Sequence, residues 1–132
     1  MIEIGIKTTR RVEFVDVTEQ IRKVLERKGV NRGLCMVFVP HTTAGITINE
    51  NADPNVVRDI QYALNKIVPE NWDFHHLEGN ADAHIKASMV GSSVTIAVEN
   101  GSLRLGQWQG VYFCEFDGPR SRALWIQIIP AP

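Results

Sequence analysis

The sequence predicts an α+β fold, a largely antiparallel sheet with helices packed on one face. Three observations carry this. The last third, from Ser93 to Ile129, reads as strands, with Asn100-Gly101 a turn of the hairpin kind. The stretch from Asp53 to Val90 reads as two helices. The first fifty residues mix strands with one helix and lack the regular strand-helix alternation of a parallel sheet.

Taken in order, Ile2 to Thr8 alternates apolar and polar residues, and Arg11 to Val15 follows after a short turn, which suits a hairpin at a sheet edge. Asp16 or Thr18 can cap a helix whose apolar positions Val17, Ile21, Val24 and Leu25 follow helical spacing, with Gly29 as its stop. Gly33 to Val39 is a β-branched and aromatic run closed by Pro40, and Ala44 to Asn49 alternates again. Asp53-Pro54 starts a second helix: a capping carboxylate, then proline where its missing N–H costs nothing. Val56, Ile60, Leu64 and Ile67 stripe that helix as far as Pro69. Asn80 can cap a third helix to about Val90, with Ala81, Ile85 and Met89 as its apolar face and Asn80, His84 and Ser88 on a separate stripe facing a cleft. Ser93 to Glu99, Ser102 to Phe116 and Arg122 to Ile129 complete the sheet.

The 132 residues, 44% hydrophobic and 22% charged, suit one domain spanning 1–132, and no repeat or linker-like stretch divides them. With 14 Lys and Arg against 15 Asp and Glu, the net charge of -1 leaves no basic surplus for a phosphate backbone, so nucleic acid is not the expected partner. Apolar stretches such as Leu34 to Pro40 fall far short of the roughly 20 residues of a membrane span. The alternating N-terminus reads as a mature cytoplasmic start. Cys35 and Cys114, each in an apolar run and without CxxC spacing, read as buried thiols in a reducing compartment.

If Ile46 and Ile48 face the helices, the opposite side of the sheet carries His41, Thr43, Thr47, Asn49, Thr95, Gln109 and Gln127. Such a neutral polar face suits burial between subunits of a homo-oligomer.

All four histidines, His41, His75, His76 and His84, fall within residues 41–84. Three imidazoles from separate elements could build an open zinc-type site, although no tight ligand motif such as HExxH is present; ordinary hydrogen-bonding histidines are the other reading. Glu50, Asp53, Glu78, Asp82, Glu115 and Asp117 recur beside these positions. Glu115, between Cys114 and Phe116, needs a partner such as Arg120 or Arg122. The turn Asp117 to Arg122 offers guanidinium forks that suit a phosphate, or simply two exposed arginines.

The segment His41-Thr42-Thr43-Ala44-Gly45-Ile46-Thr47-Ile48-Asn49-Glu50-Asn51-Ala52-Asp53-Pro54 resembles the YjbQ family, also called the secondary thiamine-phosphate synthase family. The match continues through His75, Glu78-Gly79-Asn80, Ala83-His84-Ile85-Lys86, Asn100-Gly101, Leu105-Gly106, Trp108-Gln109, Glu115, Asp117 and Pro119-Arg120. The resemblance implies an α+β fold, a homotrimer with sites near subunit boundaries, and synthesis of thiamine phosphate from a pyrimidine diphosphate and a thiazole phosphate. His41, His75 and His84 match the family's recurring histidines, whereas His76 looks incidental. Gln107 departs from the threonine common before Trp-Gln.

On that basis the expected protein is a metal-assisted enzyme of small phosphorylated substrates. His41, His75 and His84 would hold a divalent metal, zinc by ligand type. Arg120 and Lys86 would stabilise departing phosphate, and Asn49 and Gln109 would orient substrate. Glu50 or Asp117 would act as base or steady a ligand. A metal-dependent phosphate-ester hydrolase and a non-catalytic trimer binding a small anionic metabolite are the alternatives.

Overall fold

Two antiparallel sheets face each other, and two of the three helices cover the outer side of the smaller one in a computed structural model that describes residues 1–132. The strands are β1 (Ile2–Lys7), β2 (Glu13–Asp16), β3 (Gly33–Phe38), β4 (Ala44–Glu50), β5 (Ser93–Glu99), β6 (Ser102–Leu103), β7 (Gln109–Glu115) and β8 (Ser121–Pro130). The helices are α1 (Thr18–Lys28), α2 (Pro54–Ile67) and α3 (Ala81–Val90). The larger sheet runs β1-β8-β3-β5-β6 and the smaller β2-β7-β4. The α+β class and the antiparallel pairing are as the sequence predicts; the division into two sheets is not.

That division follows from one broken strand. Ser102 to Phe116 reads as continuous, but Gln109 folds its side chain back so that Oε1 accepts the Gly106 N–H at 2.7 Å, and the chain turns between β6 and β7. β6 stays on the large sheet and β7 becomes the centre of the small one.

Strand alternation then separates two cores. Ile46, Val111 and Phe113 point between the sheets, where they meet Val37, Ile96, Leu124 and Ile126 together with Ile21, Val24 and Leu25 of α1. Tyr112, Cys114 and Phe116 point the other way and pack with Ala83 and Ala87 of α3. So Ile46 faces the second sheet and not α2 or α3, the reverse of the expected orientation. On β4 the side expected to meet another subunit, that of Thr43 and Thr47, lies on the side that α3 covers, whereas Gln109 of β7 falls on the Ile46 side of the sheet.

Local signals set the ends of α1 and α2 as anticipated, whereas Asn80 stands at the start of α3 without making a side-chain capping bond. The Asp53 side chain accepts the Asn55 N–H at 2.9 Å with Pro54 at the first helical position, and Gly29 closes α1 in the left-handed conformation. At α1 the Asp16 carboxylate takes both the N–H and the hydroxyl of Thr18, at 3.0 and 2.6 Å.

The third helix is turned from its expected orientation. It buries Asp82, Ala83, Lys86 and Ala87, while Ile85 and Met89 are 37% and 53% exposed. The cause is partnership. Arg11 donates two hydrogen bonds to the Asp82 carboxylate, at 3.1 and 3.2 Å, and the Lys86 ammonium donates to Asp82 at 3.2 Å and to Asn65 at 2.7 Å. A buried charge with complete partners is tolerable where an unpaired one is not. Ala83 and Ala87 let the helix lie close to β4, and Gly45 completes the approach: a Cβ there would sit 2.7 Å from the Gly91 carbonyl oxygen.

Candidate functional site

A groove of about 330 Å³ opens where the N-terminal half of α3 meets the loop before β4 and the turn before β8. Its lining is entirely polar: Thr42, Thr43, His76, Glu78, Asn80, His84, Asp117, Arg120 and Arg122. A second pocket of about 330 Å³ adjoins it, lined by His41, Thr42, Ala44, His84, Ala87, Ser88, Gly91 and Ser92. Thr42 and His84 belong to both, so the imidazole of His84 stands on the boundary between two small compartments.

The walls are held by the backbone and by buried ion pairs. The Gly91 carbonyl accepts the Ile46 N–H at 3.0 Å, which joins the end of α3 to β4 beside the His41–Thr43 loop. Below the groove Glu115, completely buried, receives Arg122 through two hydrogen bonds, and the Thr8 hydroxyl donates to it at 2.8 Å. Burial alone would raise the Glu115 pKa, but Arg122, the Asp117 N–H and Thr8 overrule it and hold the carboxyl below its ordinary value. Of the two arginines that could partner Glu115, Arg122 does so.

Arg120 sits on the rim. Its guanidinium donates to the Asp117 backbone oxygen at 2.8 Å and to Asp117 Oδ2 at 3.0 Å, and its side chain remains 52% exposed. Asp117 Oδ2 also accepts the Asn80 side-chain amide at 2.8 Å. Burial pushes the Asp117 pKa up, yet the bonds from Asn80 and Arg120 win and leave it low. Asn80 is nine-tenths buried, and its Oδ1 has no hydrogen-bond partner. An unsatisfied buried acceptor of this kind costs about 1–3 kcal/mol. The Asn80 side chain makes no capping bond to the α3 backbone.

The predicted residues divide into three groups. His84, Asp117 and Arg120 come together in the groove, and the Asn80-His84-Ser88 stripe lines the two compartments as its spacing suggests. Asn49, Glu50 and Gln109 lie elsewhere: Glu50 pairs with Gln109 at the far end of β4, about 20 Å along the strand from Ala44 at ~3.3 Å per residue. There the Asn49 side chain accepts the N–H of Glu50 at 2.7 Å and Gln109 stabilises its own turn. Lys86 is 2% exposed and committed to Asp82 and Asn65, so it holds α3 in place and does not reach a departing phosphate.

The histidines regroup. The rings of His76 and His84 lie edge to face with centroids 5.1 Å apart, and both line the groove. His75 is exposed and lines neither compartment. His41 reaches the second compartment, but its Nε2 accepts the Ala123 N–H at 2.9 Å. Burial first, and the nearby positive charge of Arg122 next, lower the His41 pKa. Within one chain the expected trio therefore does not converge, and no three His, Cys, Asp or Glu side chains are arranged to hold a metal ion. Both thiols are buried as expected; burial pushes Cys35 up to about 11 and Cys114 higher still. Sequence reasoning missed His76 and Thr42, whose loop positions gave no periodic signal.

This arrangement and fold define a family. The model of the UPF0047 protein YjbQ-like family matches residues 2–131, and the chain belongs to it. A UPF0047 protein of Methanocaldococcus jannaschii is 54% identical over 129 residues, covering 98% of this chain and 94% of the relative. YugU of Bacillus subtilis is 49% identical over 96% of each chain. A YjbQ/UPF0047 family crystal structure from Clostridium acetobutylicum superposes with a TM-score of 0.96 at 54% identity, covering 98% of this chain and all of the other. A structure from Sulfolobus solfataricus, described as of unknown function, gives 0.94 at 32% identity, covering 98% of this chain and 95% of that one. The names these relatives carry describe no thiamine-phosphate synthase, so that activity stands on the sequence resemblance alone. No helix is long and apolar enough to cross a membrane.

Proposed function

We infer that the chain is a transferase of small phosphorylated metabolites, with the two compartments flanking His84 each taking one reactant. The supporting observation is their adjacency: two cavities of about 330 Å³ share only Thr42 and His84. A hydrolase or a simple binding module needs one compartment; a coupling reaction needs two that meet. The all-polar groove, with the Arg120 guanidinium at its rim and His76 and His84 in its wall, suits the phosphate-bearing reactant.

The specific candidate is the joining of a pyrimidine diphosphate to a thiazole phosphate. A carbon–nitrogen bond forms as the carbon–oxygen bond to pyrophosphate breaks, and the leaving oxygen keeps the electron pair. The leaving group holds the growing charge, which is where the Arg120 guanidinium and an imidazole N–H act. Asp117 holds Arg120 at the rim. Because one chain assembles no three-ligand set, no step is assigned to zinc.

A homo-oligomer, a trimer by the family resemblance, belongs to the same reading. It draws support from Leu34 and Ile129, 46% and 51% exposed on the large sheet, and from Ile85 and Met89 on α3. Light scattering checks it: a concentration-independent mass near 14.8 kDa removes the oligomer.

The activity test is product formation from the two purified substrates, with and without added zinc, against a His84→Ala background. Turnover above that background supports the transferase. Phosphate binding without turnover on these substrates leaves a binding site and removes the proposed reaction.

A further inference from the structure

The groove contains a contradiction if its ligand is only an anion. Arg120, His76 and Thr42 offer donors, but the same wall presents acceptors: the Asp117 carboxylate, the Glu78 carboxylate and Asn80. The charge of Arg120 is already met by Asp117 at 3.0 Å. An oxyanion with no proton of its own would be drawn by one set of groups and repelled by the other.

Asn80 sharpens the point. Its amide nitrogen is fixed on Asp117 Oδ2 at 2.8 Å, which settles which way the amide lies, because the flipped form would set two acceptor oxygens against each other. Its Oδ1 is therefore committed to being an acceptor, is sealed from bulk water, and has no donor within the chain. The N-cap position would normally give that oxygen a helix N–H, and here it makes no such bond. A buried acceptor without a partner, on a residue that lines a ligand groove, asks for a donor brought by the ligand as the side chain turns toward it.

We propose that the groove selects a phosphate that carries a P–O–H group, with Asn80 and Asp117 accepting that proton while Arg120 and the histidines hold the unprotonated oxygens. This rests on the anion-binding role of the groove and adds the protonation state of what it binds. Inorganic phosphate near neutral pH and a monoanionic phosphate ester both meet the requirement; sulfate, of the same shape and size, carries no proton there. Discrimination would come from the unpaired and repelling acceptors that sulfate leaves behind, the same physics by which a site built to hydrogen-bond a hydroxyl rejects the analogue lacking it.

The test is calorimetric titration of the full chain with inorganic phosphate and, separately, with sulfate at pH 7, followed by the same pair with Asn80→Ala and Asp117→Asn. The wild type is expected to prefer phosphate by at least about tenfold, and both variants to bring the ratio within about twofold. Equal affinity of the wild type for the two anions overturns the proposal while leaving the groove an anion site. A preference that survives in both variants overturns it as well. If neither anion binds the wild type, the underlying anion-site reading fails too. Should Asn80→Ala not fold, the wild-type ratio and Asp117→Asn still decide.

Discussion

Arg11 holds Asp82 through both terminal guanidinium nitrogens, so the β1–β2 turn is tied to the first turn of the helix that carries His84. Asp82 is wholly buried, and its removal would leave Lys86, 2% exposed, with Asn65 as its sole partner. Breaking one side of such a buried pair costs about 3–5 kcal/mol. Asp82→Ala is expected to lower the urea-unfolding free energy by that amount; a loss below about 1 kcal/mol would show the pair to be replaceable by water.

Two steps are expected in stability against pH. Burial and Arg122 lower the His41 pKa, so the fold favours the neutral ring. Its contribution is complete above the unfolded value of about 6.5 and falls as pH drops through the folded value. Asp82 and Glu115 are also lowered, because their ion-pair hydrogen bonds overrule burial. Their contribution is complete above about pH 4 and is lost below it. Urea midpoints between pH 3 and 8 should show both declines, and His41→Gln should remove the upper one alone.

Phosphate binding should separate the histidines. His84→Ala, which removes the side chain common to both compartments, is expected to weaken phosphate binding about tenfold or more, in line with loss of a charge-assisted bond. His75→Ala should leave it unchanged, since His75 lines neither compartment. Equal losses in the two variants, read by calorimetry, would place the anion outside the groove.

Gly45→Ala tests the close contact beneath the groove. The added methyl would meet the Gly91 carbonyl oxygen at 2.7 Å and Val90 Cγ1 at 3.2 Å. Overpacking of this kind costs about 1–3 kcal/mol. The helix should shift from β4, so the thermal midpoint and phosphate affinity should fall together. A drop in stability with unaltered affinity would show that the groove does not depend on this contact.

The helix ends were legible because capping is local: Asp53-Pro54 and Gly29 act within a few residues of themselves. The orientation of α3 was not, since its spacing favours Ile85 and Met89 inward, and only Arg11 and Asn65, distant in sequence, make Asp82 and Lys86 tolerable inside. The site was half legible. His84 and Arg120 meet as their polar settings suggest, but the clustering of Asn49, Glu50 and Gln109 with them failed because a strand's length separates its two ends. Only the fold can show that His76, and not His75, stands against His84.

A helix seated on oil-like contacts can roll a little about its own axis, because one apolar atom substitutes for another. The third helix lacks that latitude on its inner side. Beside the apolar seats of Ala83 and Ala87, its inner side makes forked and directional contacts, aimed at Arg11 on one flank and Asn65 on the other, and a small roll would stretch several of them at once. The aim of the His84 ring is thus set like a pointer on a keyed shaft, and the groove obtains its accuracy from charges that never touch what it binds.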